Sequence, residues 1–315
     1  MATTVLGLKT FAASDPVDYN EINDNYNKID NGVKTAFQGR AAQNLLDNSW
    51  FVNPINQRGA TSYSSQGYSI DRWKSEIAGG TSFSISVSSG KLIISKSGGV
   101  FRFYQILNND MLGKTVTYAV KTSDGIFSGT CVVSNTINDV RIGSHNAYLS
   151  VYSSGKTIFS IFFNDSSDDT IEIYCAALYE GSYTADTLPA YQPKGYAAEL
   201  AECQRYYENS WFGVGKNETQ EYIANVWSSA QADARIEFKQ QKRISPTITF
   251  YPIGTESNWK IFNNGYQLAG SVENKGRGGL SGFIARVSKG SSDGTTWTIG
   301  DTIQAQGHWE ASADL

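Results

Sequence analysis

Phe83-Ser84-Ile85-Ser86-Val87, closed by Ser88-Ser89-Gly90 and answered by Lys91-Leu92-Ile93-Ile94, decides the fold of this chain. Apolar and polar residues alternate along the first run, the pattern of a strand with one face on a core and the other in solvent. The Ser-Ser-Gly break marks a turn between the two runs. Working outward, comparable segments recur at spacings of about ten residues. They are Phe101–Ile106, Val116–Lys121, Phe127–Val133, Val140–Ile142, Tyr148–Tyr152, Ile158–Phe163 and Ile171–Tyr179. So many short strands between turn signals predict a β-sandwich with jelly-roll-like connections over residues 42–195. Tyr183–Pro193 then leaves as an extended strap, because Pro189 and Pro193 cannot donate to a ladder.

Beyond the strap, Ala197–Glu208 is expected to be a helix. Tyr196, Leu200, Cys203 and Tyr207 line one stripe of it, either packed on the neighbouring sandwich or forming an axial contact between protomers. The rest of residues 196–315 is again strand-rich, a second sandwich. Asn258–Phe262 and Tyr266–Val272 flank Asn263-Asn264-Gly265, a hairpin signal. Gly282–Val287 and Thr295–Ile299 flank the polar loop Lys289–Gly294, and Thr302–Trp309 is expected to close the domain as one strand.

The other end, residues 1–41, reads as an arm followed by a helix. Asp15 suits the N-cap, Pro16 the first helical position, and Asp18 adds negative charge near the helix start. Tyr19, Ile22, Tyr26, Ile29 and Val33 then fall at alternating spacings of three and four, a coiled-coil seam that suits self-association. A helix of about 22 residues with so narrow a stripe is marginal alone in water. The competing account is a terminal helix packed on its own domain.

Composition narrows the function. Of 315 residues, 26 are Lys or Arg and 30 are Asp or Glu, a net charge of −4 that gives no reason to expect nucleic-acid binding or a membrane-surface role. No apolar run reaches the roughly 18 residues of a membrane span. Met1–Gly7 has no basic region and no long apolar run, so the chain is expected to be made in the cytoplasm and to leave by lysis or within a particle. Cys131, Cys175 and Cys203 lack metal spacing and are expected as free thiols, Cys131 and Cys175 facing a core.

Catalysis finds little support in these residues. His145 and His308 are the only histidines, neither beside a nucleophile motif. Asp165-Ser166-Ser167-Asp168-Asp169 reads as a solvated turn rather than half of a carboxylate pair, and no metal or cofactor is expected. The 18 Tyr, 15 Phe and 7 Trp can fill two cores and leave some rings at the surface, where they would stack on sugars. Trp259, Tyr266 and Trp297 are the candidate glycan-binding residues because they adjoin polar turns, with core packing as the competing account of each.

Four stretches carry a family resemblance. Leu6-Gly7-Leu8-Lys9 with Asp15-Pro16-Val17-Asp18 and Asn23-Asp24-Asn25-Tyr26-Asn27-Lys28-Ile29-Asp30 resembles the N-terminus of tail fibre proteins of phages that infect Gram-positive bacteria. Asn44–Phe51 with Asn56-Gln57-Arg58-Gly59 and Asp71-Arg72-Trp73 resembles the start of the carbohydrate-module-like sandwich of such fibres. Ala198–Tyr207 resembles the helical connector that follows it. Ile244–Thr249 and Trp309–Leu315 resemble the fibre tip. The resemblance implies a homotrimer on a virion tail or a tail-like particle. Leu6, Leu8, Asp15 and Asp18 would then dock on tail or baseplate proteins, and residues 196–315 would bind a bacterial surface polysaccharide. A glycan-degrading tail enzyme and a purely structural fibre segment are the alternatives.

Overall fold

The structure is a computed structural model that describes residues 20, 22–29, 43–263, 265–276, 279–290 and 294–314, with residues 266–268 described by their backbone alone. The chain is mainly β, built of antiparallel sheets. Residues 22–29 are helical (α1). Then come β1 (Ser62–Tyr63), β2 (Gly67–Tyr68), β3 (Lys74–Ala78), β4 (Ser82–Ser88), β5 (Lys91–Ser97) and β6 (Val100–Ile106). They are followed by β7 (Thr115–Thr122), β8 (Gly125–Val132), β9 (Asn138–Arg141), β10 (Ala147–Ser153), β11 (Thr157–Phe163) and β12 (Asp169–Glu180). One six-stranded sheet has the order β1-β4-β5-β12-β7-β8, the other β2-β3-β6-β11-β10-β9.

The alternation of the sequence explains why both sheets close on one core. Ile85, Leu92, Ile94 and Ile171 from the first meet Phe101, Phe103, Phe159 and Phe163 from the second. Trp73 lies at the centre, its ring stacked on Phe103 at 4.8 Å. Its Nε1 donates to the Asn48 carbonyl at 2.9 Å, so burial leaves the indole N–H paired. Asn48, at a positive φ of 50°, uses its amide to bond Ile55 and Asp71 backbone groups.

β12 changes partner halfway along. It pairs with β5 up to Ile173, and a β-bulge lies between Ile173 and Cys175. Beyond the bulge the segment 44–51 takes over on the β5 side: Phe51 N–H donates to the Tyr174 carbonyl, Ala176 N–H to Ser49, and Leu45 N–H to Leu178. Ile173 and Ala176 both point into the core, so Tyr174 and Cys175 between them turn to the outer face. Cys175 therefore faces the strap and not the core, and all three cysteines are free.

The helix α2 spans Tyr196–Gln204, shorter than the sequence suggests. Tyr207–Asn209 forms β13 instead, because its edge pairs with the last strand and Glu208 is buried against Lys242 at 2.6 Å. Next come β14 (Glu221–Ser228), β15 (Gln231–Glu237), β16 (Thr247–Tyr251), β17 (Lys260–Phe262), β18 (Tyr266–Leu268) and β19 (Ser271–Asn274). β20 (Gly282–Ser288), β21 (Thr302–Gln306) and β22 (His308–Ser312) complete the chain. The seven-stranded sheet β18-β17-β21-β14-β15-β20-β19 and the three-stranded sheet β13-β22-β16 enclose a second core. β17 and β18 pair antiparallel as a hairpin, as expected.

Two expected strands differ. Thr295–Ile299 is not a strand, and Thr302–Trp309 breaks at Gly307 into β21 and β22, which belong to different sheets. A Cβ at Gly307 would overlap the Trp259 indole, so only glycine lets the chain cross there.

The two β bodies meet at a buried polar junction built around residues 57–58, 71–72, 206–209 and 314. Arg58 pairs with Asp71 at 3.2 Å and with Asp314 at 2.9 Å, and its guanidinium lies 3.8 Å from the centre of the Tyr207 ring. Gln57 donates to Asp71 and to the Tyr207 carbonyl, while Asn209 donates back to the Gln57 carbonyl. Arg72 stacks on Tyr206, whose hydroxyl bonds Asn108. Burial pushes the Asp71 carboxyl up to about 7 against the pull of Arg58, and it raises Asp314 in the same way.

Candidate functional site

Trp259 and Trp297 cannot serve as sugar platforms. Trp259 is 1% exposed, stacked on Tyr222 at 5.4 Å, with its Nε1 donating to the His308 carbonyl. Trp297 is 3% exposed in the same core. Both adjoin polar turns but point their rings inward, and a ring without a solvent face has nothing to stack on a ligand. The side chain of Tyr266 lies outside the described residues.

A different tryptophan has the required geometry. In β14, Ala224 and Val226 point into the core, and Ile223, Asn225 and Trp227 point out. Trp227 sits at an irregularity of register between Val226 and Ser228. The Arg286 guanidinium lies 4.2 Å from its ring centre, and the indole Nε1 donates to Asp233 at 3.2 Å. Asp233 in turn takes a bidentate pair from Arg286, at 2.6 and 2.8 Å. The pairing with Asp233 raises the Arg286 pKa, so the guanidinium is charged. Tethered at its edge and backed by a cation, Trp227 is 44% exposed.

Around it the outer face of the seven-stranded sheet is polar in one row and apolar in the next. Thr302, Asn225, Asp233, Arg286 and Glu273 align across β21, β14, β15, β20 and β19. Ile223, Gln304 and Phe262 align across β14, β21 and β17, with Ile223 and Phe262 exposed. Parity in the sequence groups Trp227 with Ile223 and Asn225, but it does not say which face is outside.

A second concave feature lies on the first body. The strap crosses the outer face of β12, β7 and β8 and leaves a groove of about 580 Å³ beneath it. Trp50, Tyr174, Tyr179, Tyr191, Ile126 and Leu188 form its walls. The volume is in the range of small-molecule sites.

The remaining candidates are accounted for by their own neighbours. His145 bridges Asp169 at 2.8 Å and Asp124 at 3.1 Å. Within the acidic turn, Asp165 meets Lys96 and Ser167, and Asp169 also accepts from Asn146 N–H. His308 is fully buried with Nδ1 3.0 Å from the Ser210 hydroxyl, and burial lowers its pKa. On α1, Ile22 is half-buried while Tyr26 is 67% and Ile29 42% exposed. Tyr19 and Val33 lie outside the described residues, as do Leu6, Leu8, Asp15 and Asp18.

Comparison with family models, with curated proteins and with solved structures gives no match to this chain.

Proposed function

We propose that this chain is a non-enzymatic, glycan-binding fibre protein of a phage tail or tail-like particle. In this reading it is a homotrimer of jelly-roll-like sandwiches. The first 41 residues dock it on tail or baseplate proteins and begin a coiled coil, and residues 196–315 contact the bacterial surface polysaccharide. The observation that carries it is Trp227: an aromatic face held rigid by Arg286 and Asp233, amid hydroxyl, amide and carboxylate groups, suits a pyranose ring. Carbon-bound hydrogens of the sugar would meet the indole, and its hydroxyls would meet Asn225 and Thr302 on the same and the adjacent strand. Such a shallow site is weak alone, and three copies on one particle raise its effective affinity without new contacts. The exposed Tyr26 and Ile29 of α1 support the self-association this requires.

The test is adsorption of the labelled full chain to candidate host cells, with and without periodate treatment of the cells. Binding is expected to disappear with periodate and to fall at least tenfold in Trp227→Ala. Adsorption unchanged by both treatments overturns the glycan reading. A solution mass of three chains is expected, and a monomer removes the account of α1.

A further inference from the structure

The groove beneath the strap has a chemistry of its own, fixed by register. Ala177, Ala119 and Ser128 stand side by side on β12, β7 and β8, so a row of small side chains makes a floor. In the next row Cys175, Lys121 and Ile126 align, and the bulge adds Tyr174 to the same face. The strap forms the roof and is held at its ends: Tyr183 N–H donates to the Thr117 hydroxyl, and the Tyr191 hydroxyl bonds Ser49. Pro189, between these points, and Pro193, just beyond them, offer no N–H, and among the described residues no backbone hydrogen bond joins 188–193 to the sheet. The roof therefore spans the floor without closing on it.

Charge in the groove has one sign. Lys121 lines it, and its ammonium has no ion pair or hydrogen bond among the described residues. Among the described residues, no carboxylate lines the groove. Burial pushes the Cys175 thiol up to about 11, so it is neutral at physiological pH. Aromatic walls, a floor flat enough for a ring and one unpaired cation at the edge define a ligand with an apolar face and a negative group.

We infer that this groove is a second saccharide site, selective for an anionic sugar whose ring lies between strap and floor and whose carboxylate or phosphate meets Lys121. The inference rests on the glycan-binding reading of the chain but not on the Trp227 site. Division of labour follows: the distal face takes a sugar by its hydroxyls, and the groove takes one by its charge.

The experiment is calorimetric titration of the full chain with methyl β-glucuronide, glucose 1-phosphate and methyl β-glucoside. At least one anionic sugar is expected to bind at least tenfold more tightly than the neutral one. Binding of the glucuronide alone assigns a carboxylate ligand, and binding of the phosphate alone a sugar phosphate. Lys121→Ala should lower the anionic affinity about tenfold, Lys121→Arg should restore most of it, and Trp227→Ala should leave it unchanged. Lys121 is exposed, so these variants test charge without disturbing the core. Failure of both anionic sugars to bind, equal binding of the neutral sugar, or indifference to Lys121→Ala overturns the inference. So does loss of binding in Trp227→Ala. Any of these can occur while adsorption to cells still depends on Trp227, so the two readings fail separately.

Discussion

In the first β body the strands themselves supply the bulk of the core, through Phe101, Phe103, Phe159, Phe163 and a set of isoleucines and leucines. In the second, Ala224, Ala232, Ala234, Ala285 and Ala305 share the inward face of the central strands with Val226, Ile236, Val287 and Ile303, and much of the volume comes from Trp259, Trp297, Trp309 and Phe283. An alanine-lined sheet leaves a gap that only large rings can fill at native packing density. The difference teaches how to read a tryptophan beside a polar turn. Where the strands carry Phe and Ile, a single ring, Trp73, completes the core. Where they carry Ala at many inward positions, Trp259, Trp297 and Trp309 are all drawn inside.

That comparison can be broken most directly at its largest effect. Trp259→Ala should destabilise the second body by about 3–5 kcal/mol, and Trp73→Ala the first by a similar amount. If chemical denaturation shows Trp259→Ala to cost less than about 1 kcal/mol, the ring is not the core of an alanine-lined sheet.

The junction between the bodies is the next lever. Asp71 and Asp314 both have folded-state pKa values raised by burial, so the folded chain holds protons that the unfolded chain releases. The stability this contributes is complete below the ordinary carboxylate pKa and is lost as pH rises through about 7 for Asp71. Thermal unfolding should therefore move to lower temperature between pH 5 and pH 8, by at most about 1.4 kcal/mol per pH unit for each proton. Asp71→Asn should flatten that slope, and an unchanged slope would show that the junction proton is elsewhere.

Gly307→Ala is expected to cost about 1–3 kcal/mol, because the added methyl overlaps Trp259 where β21 hands over to β22. The smallest stability effect should be at Trp227, where substitution by alanine stays within about 0.5 kcal/mol while glycan binding falls. A large destabilisation there would make Trp227 a packing residue and sharpen the contrast in the opposite direction.

Much of the first body was legible because its strands alternate cleanly: Phe83–Val87, Phe101–Ile106 and Ile158–Phe163 each extend by only a residue or so in the structure. The second was less so. Helical spacing carried on through Tyr207, but pairing of Tyr207–Asn209 with β22 overrides a local preference that is worth little. The break at Gly307 is invisible to periodicity, since it depends on a ring 48 residues away in sequence. Trp227 was missed because in Tyr222–Trp227 both parities carry apolar residues, and only the partners Asp233 and Arg286 decide which face is outside. The groove owes part of its lining to a bulge, which inserts one residue and switches Cys175, Ala177 and Tyr179 to the outer face that Tyr174 shares.

The Arg58 clamp has a mechanical consequence. The covalent route between the bodies runs through α2 and Tyr206–Tyr207, and Arg58 adds a second, non-covalent anchor at Asp314, on the far side of the second body in sequence. A body held at one point swivels; one held at two resists torque. Twisting one β body against the other must therefore shear a desolvated ion pair before the connector can turn.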